Sequence, residues 1–302
     1  MEFRVLVGVP TFKRRAMLFD LLESLQSSLE VTRFEFDFEI LVADNDPAGS
    51  AREVVESIKG SFGHRIYYHI YVRKGLAAIR NFILEFGFSG GYDYLVFIDD
   101  DEYVTCEWMN ELLEMMLMND VVGVRGPVIP VFSDEVAIYI KWIMKRKRYK
   151  DGEKLDNWTT GNLIVDLKYI RANSVLFDER FNSIGAEDTF FGREMNRKGA
   201  TLVWADNAVV YERIVDQRAN MVTCIRRQFS SSAVFVFILR MERMHLSLVR
   251  KFVISAIYVF LGLLFLWVYI LPIKFRAKPA MVLAEGLGGF YGFVGKGLKI
   301  YS

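Results

Sequence analysis

The chain has 302 residues, enough for one large α/β domain with an appended region. Its 38 lysine and arginine residues nearly balance 37 aspartate and glutamate residues, so net charge argues against a dedicated nucleic-acid binder. Hydrophobic residues make up 52% of the chain although 25% of it is charged, and the apolar excess lies after about Phe229. Cys106 and Cys224 lack metal-site spacing, which predicts two buried thiols in a reducing compartment.

Short β-rich runs alternate with helical segments from residue 3 to about residue 130. This alternation predicts an α/β fold with a mostly parallel, doubly wound central sheet and flanking helices. Ligands of such sheets bind beyond the carboxyl ends of the strands, where the strand order reverses. The predicted segments are strands at Val5 to Val9, Phe38 to Ala43, Arg65 to Tyr71, Tyr94 to Ile98 and Val121 to Val124, and helices at Arg14 to Leu29, Arg52 to Ile58, Gly75 to Phe86 and Met109 to Met118.

The middle of the chain is less regular. Glu135 to Lys150 is predicted to be an amphipathic helix that ends in a basic run. Such a run is usually a solvated helix face, but it could also attract anionic headgroups or a pyrophosphate-linked lipid. The later predicted elements are a loop entering a strand at Trp158 to Val165, a helix at Glu187 to Lys198, and short strands at Leu202 to Trp204 and Val209 to Tyr211.

The C-terminal region differs in character. An uncharged apolar run at about 252–273 has the length of roughly 20 residues that a helix needs to cross a bilayer. A second membrane or interfacial segment is possible at 280–297. Basic residues flank the first run on both sides, so the positive-inside rule leaves its topology open. We therefore expect a membrane-association region over 229–302, attached to a domain over 1–228. The N-terminus lacks the apolar core of a signal peptide, which predicts that this end of the chain stays in the cytoplasm.

Three adjacent carboxylates, Asp99, Asp100 and Asp101, directly follow a buried strand. Because like charges repel, such a cluster needs a cation. Hard oxygen ligands favour Mg²⁺ or Mn²⁺, which would bridge to substrate phosphates. An acidic surface turn is the alternative interpretation, and the preceding apolar strand argues against it.

Glu187 and Asp188 form a second acidic pair, at the start of a predicted helix. Acidic residues at this position are often only capping and dipole partners. Sugar transfer, however, needs a metal that neutralises the departing diphosphate and a separate carboxylate that accepts the proton of the attacking hydroxyl. The two acidic sites together meet that requirement.

Two further segments follow predicted strands. Pro10, Thr11, Phe12 and Arg14 form a turn that, together with Asp44, could make a nucleotide pocket. Arg80, on the third predicted helix, could orient an aspartate or pair with phosphate. Each of these residue types is also common on ordinary protein surfaces.

The ordered motifs resemble those of family 2 glycosyltransferases of the GT-A fold, over residues 3 to about 213. Within the family the pattern is most similar to bacterial enzymes that extend lipid-linked exopolysaccharides or surface glycans. The motifs, in chain order, are Pro-Thr-Phe-x-Arg, Val-Ala-Asp-Asn, Lys-Gly-Leu-Ala-x-x-Arg-Asn, Phe-x-Asp-Asp-Asp, Thr-Gly-Asn and Gly-x-Glu-Asp.

The resemblance implies a role for each matching residue. Asp101 would coordinate Mn²⁺ or Mg²⁺, Asp188 would be the general base, and Glu187 would assist acceptor placement. The nucleotide, most often UDP in this family, and the donor sugar would be held by Pro10, Thr11, Phe12, Arg14, Asp44, Arg80, Asp99 and Asp100. The acceptor side would be formed by Trp158, Thr160, Gly161 and Asn162.

The resemblance also implies an inverting enzyme that uses a single displacement. Processive polysaccharide synthases of the family carry a Gln-x-x-Arg-Trp motif, whereas this chain has Arg226-Arg227-Gln228-Phe229. This departure favours addition of one sugar to a polyprenyl-diphosphate-linked saccharide, at the cytoplasmic face of the bacterial inner membrane. Two alternatives stay open: a polyprenyl-phosphate glycosyl synthase and a catalytically silent, membrane-anchored binding protein.

Overall fold

The computed structural model describes residues 3–273 and 275–294. The chain divides into two compact units. The first comprises residues up to Ile129 together with Arg146–Asn182 and Glu187–Arg213, and the second comprises Pro130–Lys145, Ser183–Ala186 and the chain from Ile214 onward.

The secondary structure follows the predicted alternation of strands and helices. The strands are β1 Phe3–Thr11, β2 Phe36–Asp44, β3 Arg65–Ile70, β4 Tyr94–Phe97, β5 Glu102–Val104, β6 Gly123–Arg125, β7 Val128–Val131, β8 Lys154–Leu155, β9 Leu163–Asp166, β10 Leu202–Trp204 and β11 Val210–Arg213. The helices are α1 Arg15–Glu30, α2 Arg52–Lys59, α3 Leu76–Gly90, α4 Trp108–Met118, α5 Ile138–Met144, α6 Leu167–Asn173, α7 Glu187–Arg197, α8 Met221–Met241, α9 His245–Leu264 and α10 Lys278–Val294.

The central sheet has the strand order β3-β2-β1-β4-β9-β6-β10-β8. β1 pairs in parallel with both β2 and β4, and β2 pairs in parallel with β3. β9 runs antiparallel between β4 and β6, so the sheet is mixed rather than uniformly parallel. The predicted α/β class with a mostly parallel sheet is thereby confirmed. A smaller sheet has the order β5-β11-β7.

Helices cover both faces of the central sheet. Val5, Val7 and Val9 of β1 face one buried cluster, and Leu6 faces the other. The first cluster contains apolar residues of α1, α2 and α4, and the second contains residues of α3, α6 and α7. Burial on both faces explains why β1 has a nearly continuous apolar sequence.

The predicted helix over Glu135 to Lys150 is wrong at both ends. Only Ile138–Met144 is helical, and Lys145 already has extended backbone. The four successive cations Lys145 to Arg148 would repel one another in a helix. In the extended backbone, Arg146 and Arg148 instead pair with two separate carboxylates. Arg146 forms an ion pair with Glu212, and Arg148 forms one with Asp206.

The second unit contains three long helices, α8, α9 and α10. By length and composition alone, α8 and α9 could each cross a membrane. The apolar run predicted at 252–273 is an α-helix only to Leu264 and continues as a 3₁₀ helix over Leu266–Ile270. Leu271 then has extended backbone, as expected before Pro272. Of the second predicted segment, 280–294 lies in α10 and 295–297 lies outside the described residues.

Sequence analysis did not identify α8 as a membrane candidate. This helix is charged at its start and apolar only in its second half. The predicted domain boundary between residues 228 and 229 falls inside it, and the division into 1–228 and 229–302 stays a prediction.

Glycines of α10 allow close packing against α8 and α9. A Cβ atom on Gly288 would lie 2.2 Å from the carbonyl oxygen of Phe229 in α8. One on Gly289 would lie 2.0 Å from Ser255 Oγ in α9. Small residues at helix contacts let backbones approach in this way, as in membrane helix bundles.

We expect Gly288→Ala to lower the free energy of unfolding by about 2 kcal/mol, because the new methyl group must push α8 and α10 apart. Alanine normally stabilises a helix relative to glycine by about 1 kcal/mol, so helix propensity alone predicts a gain in stability whereas the steric conflict predicts a loss. Thermal unfolding of the purified protein measures the difference. Gly60→Ala, at a position with nothing within 4 Å and φ of −72°, is the matched control and should be neutral or slightly stabilising. A Tm for Gly288→Ala at or above that of the parent would refute the packing argument.

Candidate active site

The site lies at the carboxyl ends of β1 and β4. β1 lies between β2 and β4, so the strand order reverses at this point. The chain leaves β1 through Phe12 and Arg14, and it leaves β4 into the acidic turn Asp99–Asp101. This polar cluster therefore lies at the position where doubly wound sheets bind their ligands.

The structure brings the N-terminal turn and the acidic turn together. Thr11 Oγ1 donates to Asp100 Oδ2 at 2.8 Å, and the Phe12 backbone N–H donates to the same oxygen at 3.4 Å. Arg14 Nη1 lies 2.6 Å from Asp100 Oδ1 and 2.9 Å from Asp101 Oδ2. Burial raises the pKa of Asp100, and the charge of Arg14 works against that rise. Phe12 itself is exposed, and Lys13 Nζ lies 5.1 Å from the centroid of its ring.

Asp44 and Pro10 lie beside this cluster but are fully buried. Both oxygens of Asp44 are occupied: Oδ1 accepts from the Asp46 backbone N–H, and Oδ2 accepts from the Ala51 N–H and the Tyr68 hydroxyl. Asp44 therefore fixes the turn after β2. Its direct contact with a nucleotide stays a prediction.

Arg80 joins the acidic turn to the second acidic pair. Its guanidinium is buried, forms an ion pair with Glu187 and lies 3.3 Å from Asp99 Oδ1. Burial raises the pKa of Glu187, and the charge of Arg80 opposes this rise. One cation thus holds two carboxylates that are distant in sequence.

A glycine and an asparagine position the helix that carries Arg80. Gly75 precedes α3 with φ of 121°, and a Cβ there would lie 2.2 Å from the side chain of Asn182. Asn182 Oδ1 accepts a hydrogen bond from the Ala78 backbone N–H, one of the donors left unpaired at a helix start.

Asp188 differs from its neighbour Glu187 in being partly exposed. Its Oδ1 accepts from the backbone N–H and the hydroxyl of Thr189 at 2.6 and 3.2 Å. Oδ2 accepts no hydrogen bond from any residue that the structure describes. An exposed carboxylate oxygen without a partner is suited to accept a proton from a substrate.

The residues predicted for the acceptor side divide into two groups. Trp158 and Asn162 are buried, and their polar atoms are engaged: Trp158 Nε1 donates to Asn196 Oδ1, and Asn162 binds Trp108, Pro127 and Ala208. These two side chains support the fold beneath the loop. Thr160 is also buried, and Gly161 is half-exposed. Contact of any of the four with an acceptor stays a prediction.

Sequence analysis missed Glu102, the residue that follows the three aspartates. Glu102 is buried, and its Oε2 accepts from the Asp99 backbone N–H at 2.9 Å. Burial, reinforced by the charge of Asp99, raises the pKa of Glu102 well above its usual range. A Cβ on Gly161 would lie 2.8 Å from Glu102 Oε1, so a glycine is needed there. The Asp-Asp-Asp-Glu run was a usable signal, although Glu102 is itself the first residue of β5.

The acidic turn has a donor set that suits a divalent cation. Asp99 and Asp101 offer hard oxygen atoms, and the approach of Arg14 to Asp100 and Asp101 shows that the turn attracts positive charge. Across residues 3–273 and 275–294, no three His, Cys, Asp or Glu side chains form a group that would hold a metal alone. Mg²⁺ commonly takes one or two carboxylates and completes its shell with water and substrate phosphates, which fits this geometry.

Residues 6–176 match the family model described as glycosyl transferase family 2. The chain belongs to this family. It is therefore a glycosyltransferase, as the motifs predicted. The enzyme is 28% identical over 233 residues to the succinoglycan biosynthesis protein ExoM of Rhizobium meliloti (strain 1021), covering 74% of this chain and 72% of that protein. It is 23% identical to chondroitin synthase of Escherichia coli, covering 68% of this chain and 34% of the synthase.

Solved structures share the fold. TarS 1–349 of S. aureus, at 15% identity, has a TM-score of 0.55 and covers 98% of this chain and 92% of that one. The same protein in complex with UDP-GlcNAc, at 14% identity, has a TM-score of 0.55, covering 96% and 91%. GalNAc-T7 with UDP, GalNAc and Mn²⁺, at 13% identity, has a TM-score of 0.53, covering 70% and 44%. These likenesses confirm the GT-A-like fold of the enzyme.

We expect Arg80→Met to lower the free energy of unfolding by about 3 kcal/mol at neutral pH, because Glu187 loses its cation while staying buried. Without Arg80 the folded-state pKa of Glu187 moves further above its unfolded value of about 4.3. The added destabilisation is absent below the unfolded pKa and grows as pH rises towards the folded pKa. Thermal unfolding should therefore show a larger Tm deficit at slightly alkaline pH than under mildly acidic conditions.

Arg73→Met is the matched control, since Arg73 forms an exposed ion pair with Glu179. Surface pairs contribute about 0–1 kcal/mol, so its Tm should stay close to that of the parent across the pH range. An Arg80→Met deficit that shrank with rising pH would contradict the assigned role of the buried pair.

Proposed function

We propose that the enzyme transfers one sugar from a UDP-sugar to a polyprenyl-diphosphate-linked saccharide, with inversion, at the cytoplasmic face of the bacterial inner membrane. One observation carries this proposal: Thr11, Arg14 and the acidic turn lie close to Asp188, an accessible carboxylate. The Arg80–Glu187 ion pair joins the two acidic segments, because Arg80 also contacts Asp99. Likeness to ExoM supports a role in exopolysaccharide or surface-glycan assembly. Structural relatives solved with UDP and with UDP-GlcNAc support the donor class.

On the donor side, Arg14 and the acidic turn would face the nucleotide diphosphate, while Phe12 offers a surface for the base. Asp101, with Asp99 nearby, would hold Mn²⁺ or Mg²⁺. Such an ion, when bound, neutralises the charge that develops on the departing diphosphate. The Mn²⁺ in the GalNAc-T7 structure supports the choice of metal.

On the acceptor side, Asp188 Oδ2 would accept the proton of the attacking hydroxyl. The hydroxyl oxygen of the acceptor then forms a bond to the anomeric carbon of the donor sugar. The bond from that carbon to the diphosphate breaks on the opposite face, which inverts the anomeric centre in one step. Glu187, held by Arg80, would keep the start of α7 in place. The absence of Gln-x-x-Arg-Trp from the sequence supports transfer of a single sugar.

Membrane association would come from the second unit. Large apolar side chains repeat at helical spacing along α9 and stay exposed: Val253, Ile257, Phe260 and Leu264. Removing such apolar surface from water is favourable by about 25 cal/mol for each Å², which would favour contact with lipid. Trp267, just beyond α9, is also exposed and is a residue type enriched at membrane interfaces.

The first test measures release of nucleoside diphosphate from a panel of nucleotide sugars, with Mn²⁺ or Mg²⁺ and with a chelator. Metal-dependent release of UDP from one donor, accelerated by a polyprenyl-diphosphate-linked saccharide, supports the proposal. Acceleration by polyprenyl phosphate instead would identify a polyprenyl-phosphate glycosyl synthase. Absence of turnover with every donor and both acceptors would leave only a silent binding protein.

We expect Asp188→Asn to lower the transfer rate at least about 100-fold while UDP affinity is retained, because only the proton acceptor is lost. Steady-state kinetics and calorimetric titration with UDP measure the two properties separately. Asp156→Asn is the matched control: Asp156 is exposed, and its recorded hydrogen bond uses only the backbone oxygen. Normal transfer by Asp188→Asn would show that another group is the base.

We expect Phe260→Asp combined with Leu264→Asp to reduce sedimentation with phospholipid vesicles by at least about tenfold, because a charged side chain placed in the apolar bilayer region costs about 2.5–3.5 kcal/mol. Leu117→Asp, at an exposed apolar position on α4, is the control and should leave binding unchanged. Equal vesicle binding by the double variant and the control would argue against contact of this face with lipid.

A further inference from the structure

Arg125 is a buried arginine at the carboxyl end of β6. Only 8% of its surface is exposed. Its Nη1 donates to the backbone oxygen of Asn157 at 3.2 Å. No carboxylate within the described part of the chain forms an ion pair with it. This differs from Arg80, which is equally buried but pairs with two carboxylates.

The unpaired atoms of Arg125 form one edge of the guanidinium. Nε is buried without a hydrogen-bond partner. Nη2 likewise has no partner among residues 3–273 and 275–294, but it is not fully buried. Nε–H and Nη2–H point in the same direction, the arrangement that binds a carboxylate or phosphate through two parallel hydrogen bonds. A binding fork is thus present and has no partner among the residues that the structure describes.

The fork lies near the proposed base and has one further cation, Arg146, in its surroundings. Arg125 is over the ring of the buried Trp204, 5.5 Å from its centroid. Burial lowers the pKa of Arg125, Arg146 lowers it further, and Tyr149 and Asp188 act in the opposite direction. Asp188 is therefore close enough to interact electrostatically, although it does not pair with Arg125.

We propose that the Nε–Nη2 edge of Arg125 binds an anionic group of the acceptor, a carboxylate or a phosphate, next to the hydroxyl that Asp188 deprotonates. This inference rests on the proposed function and deepens it, since it gives the acceptor a charge. A uronic-acid carboxylate and the diphosphate of a lipid linkage share the required chemistry. A guanidinium fork accommodates either of them.

Binding is tested on the full chain saturated with UDP and Mn²⁺, so that the donor site is filled. Methyl glucuronide and methyl phosphate are then titrated separately, with Tm and calorimetric heat as readouts. Binding of either anion by the parent and by Arg148→Met, but not by Arg125→Met, supports the inference, and the anion that binds identifies the source. Arg148 is a suitable control because it is exposed and pairs with Asp206. Failure of both anions to bind the UDP-saturated parent overturns the inference, whereas failure of UDP itself to bind contradicts the proposed function.

Kinetics provide a second test. Arg125→Met should raise the KM for an anionic acceptor by about tenfold or more, the loss expected for a charged hydrogen bond. Metal-dependent hydrolysis of the donor without acceptor and the affinity for UDP should be unchanged. Arg125→Lys keeps the charge but lacks the guanidinium fork, so its KM for the anionic acceptor should lie between those of the parent and of Arg125→Met. The Tm of Arg125→Met should not fall, because a buried charge without an ion-pair partner is removed. Weaker UDP binding by Arg125→Met would place the residue on the donor side and overturn the inference.

Discussion

The ion pair between Arg80 and Glu187 is the interaction on which the candidate active site depends. Six carboxylates lie at or near this edge of the molecule: Asp99, Asp100, Asp101, Glu102, Glu187 and Asp188. Their mutual repulsion opposes a compact arrangement. Arg80 offsets it between the two acidic segments, and Arg14 offsets it within the acidic turn. Because Arg80 is buried, its position also fixes the start of α7 relative to α3.

The surrounding residues separate into those that hold the site and those that face solvent. Asp44 and Asn162 have every side-chain oxygen engaged in fixing a turn or a loop. Phe12 and Asp188 are more exposed, and Asp188 keeps one carboxylate oxygen that accepts no hydrogen bond from the described residues. A motif residue can therefore be essential to a site through the backbone that it orders. Substitution of a residue that holds the site, such as Asp44 or Asn162, therefore disturbs geometry and chemistry together.

Periodicity predicted most of the first unit because its elements are locally determined. β1, β2 and β4 carry apolar runs that only burial on both faces explains, and α1 has its leucines at helical spacing. The basic run after α5 could not be predicted, since its extended shape depends on Glu212 and Asp206, more than 50 residues away. The same holds for Arg125, which lies where β6 pairs with β9 and whose partner Asn157 is 32 residues away. Glu102 has a local partner in the Asp99 backbone N–H, but its burial depends on the pairing of β5 with the distant β11.

Arg80 and Arg125 show how two buried cations can carry different information. A buried charge loses its hydration, and only well-placed opposite charges restore the lost free energy. For Arg80 the chain itself supplies those charges, so the residue can be understood as part of the scaffold. For Arg125 the described chain supplies one backbone oxygen and a tryptophan ring, which is too little to replace the hydration of a guanidinium. We propose that a substrate anion beside Asp188 supplies the remaining attraction, because the free Nε–Nη2 edge of Arg125 fits such a group.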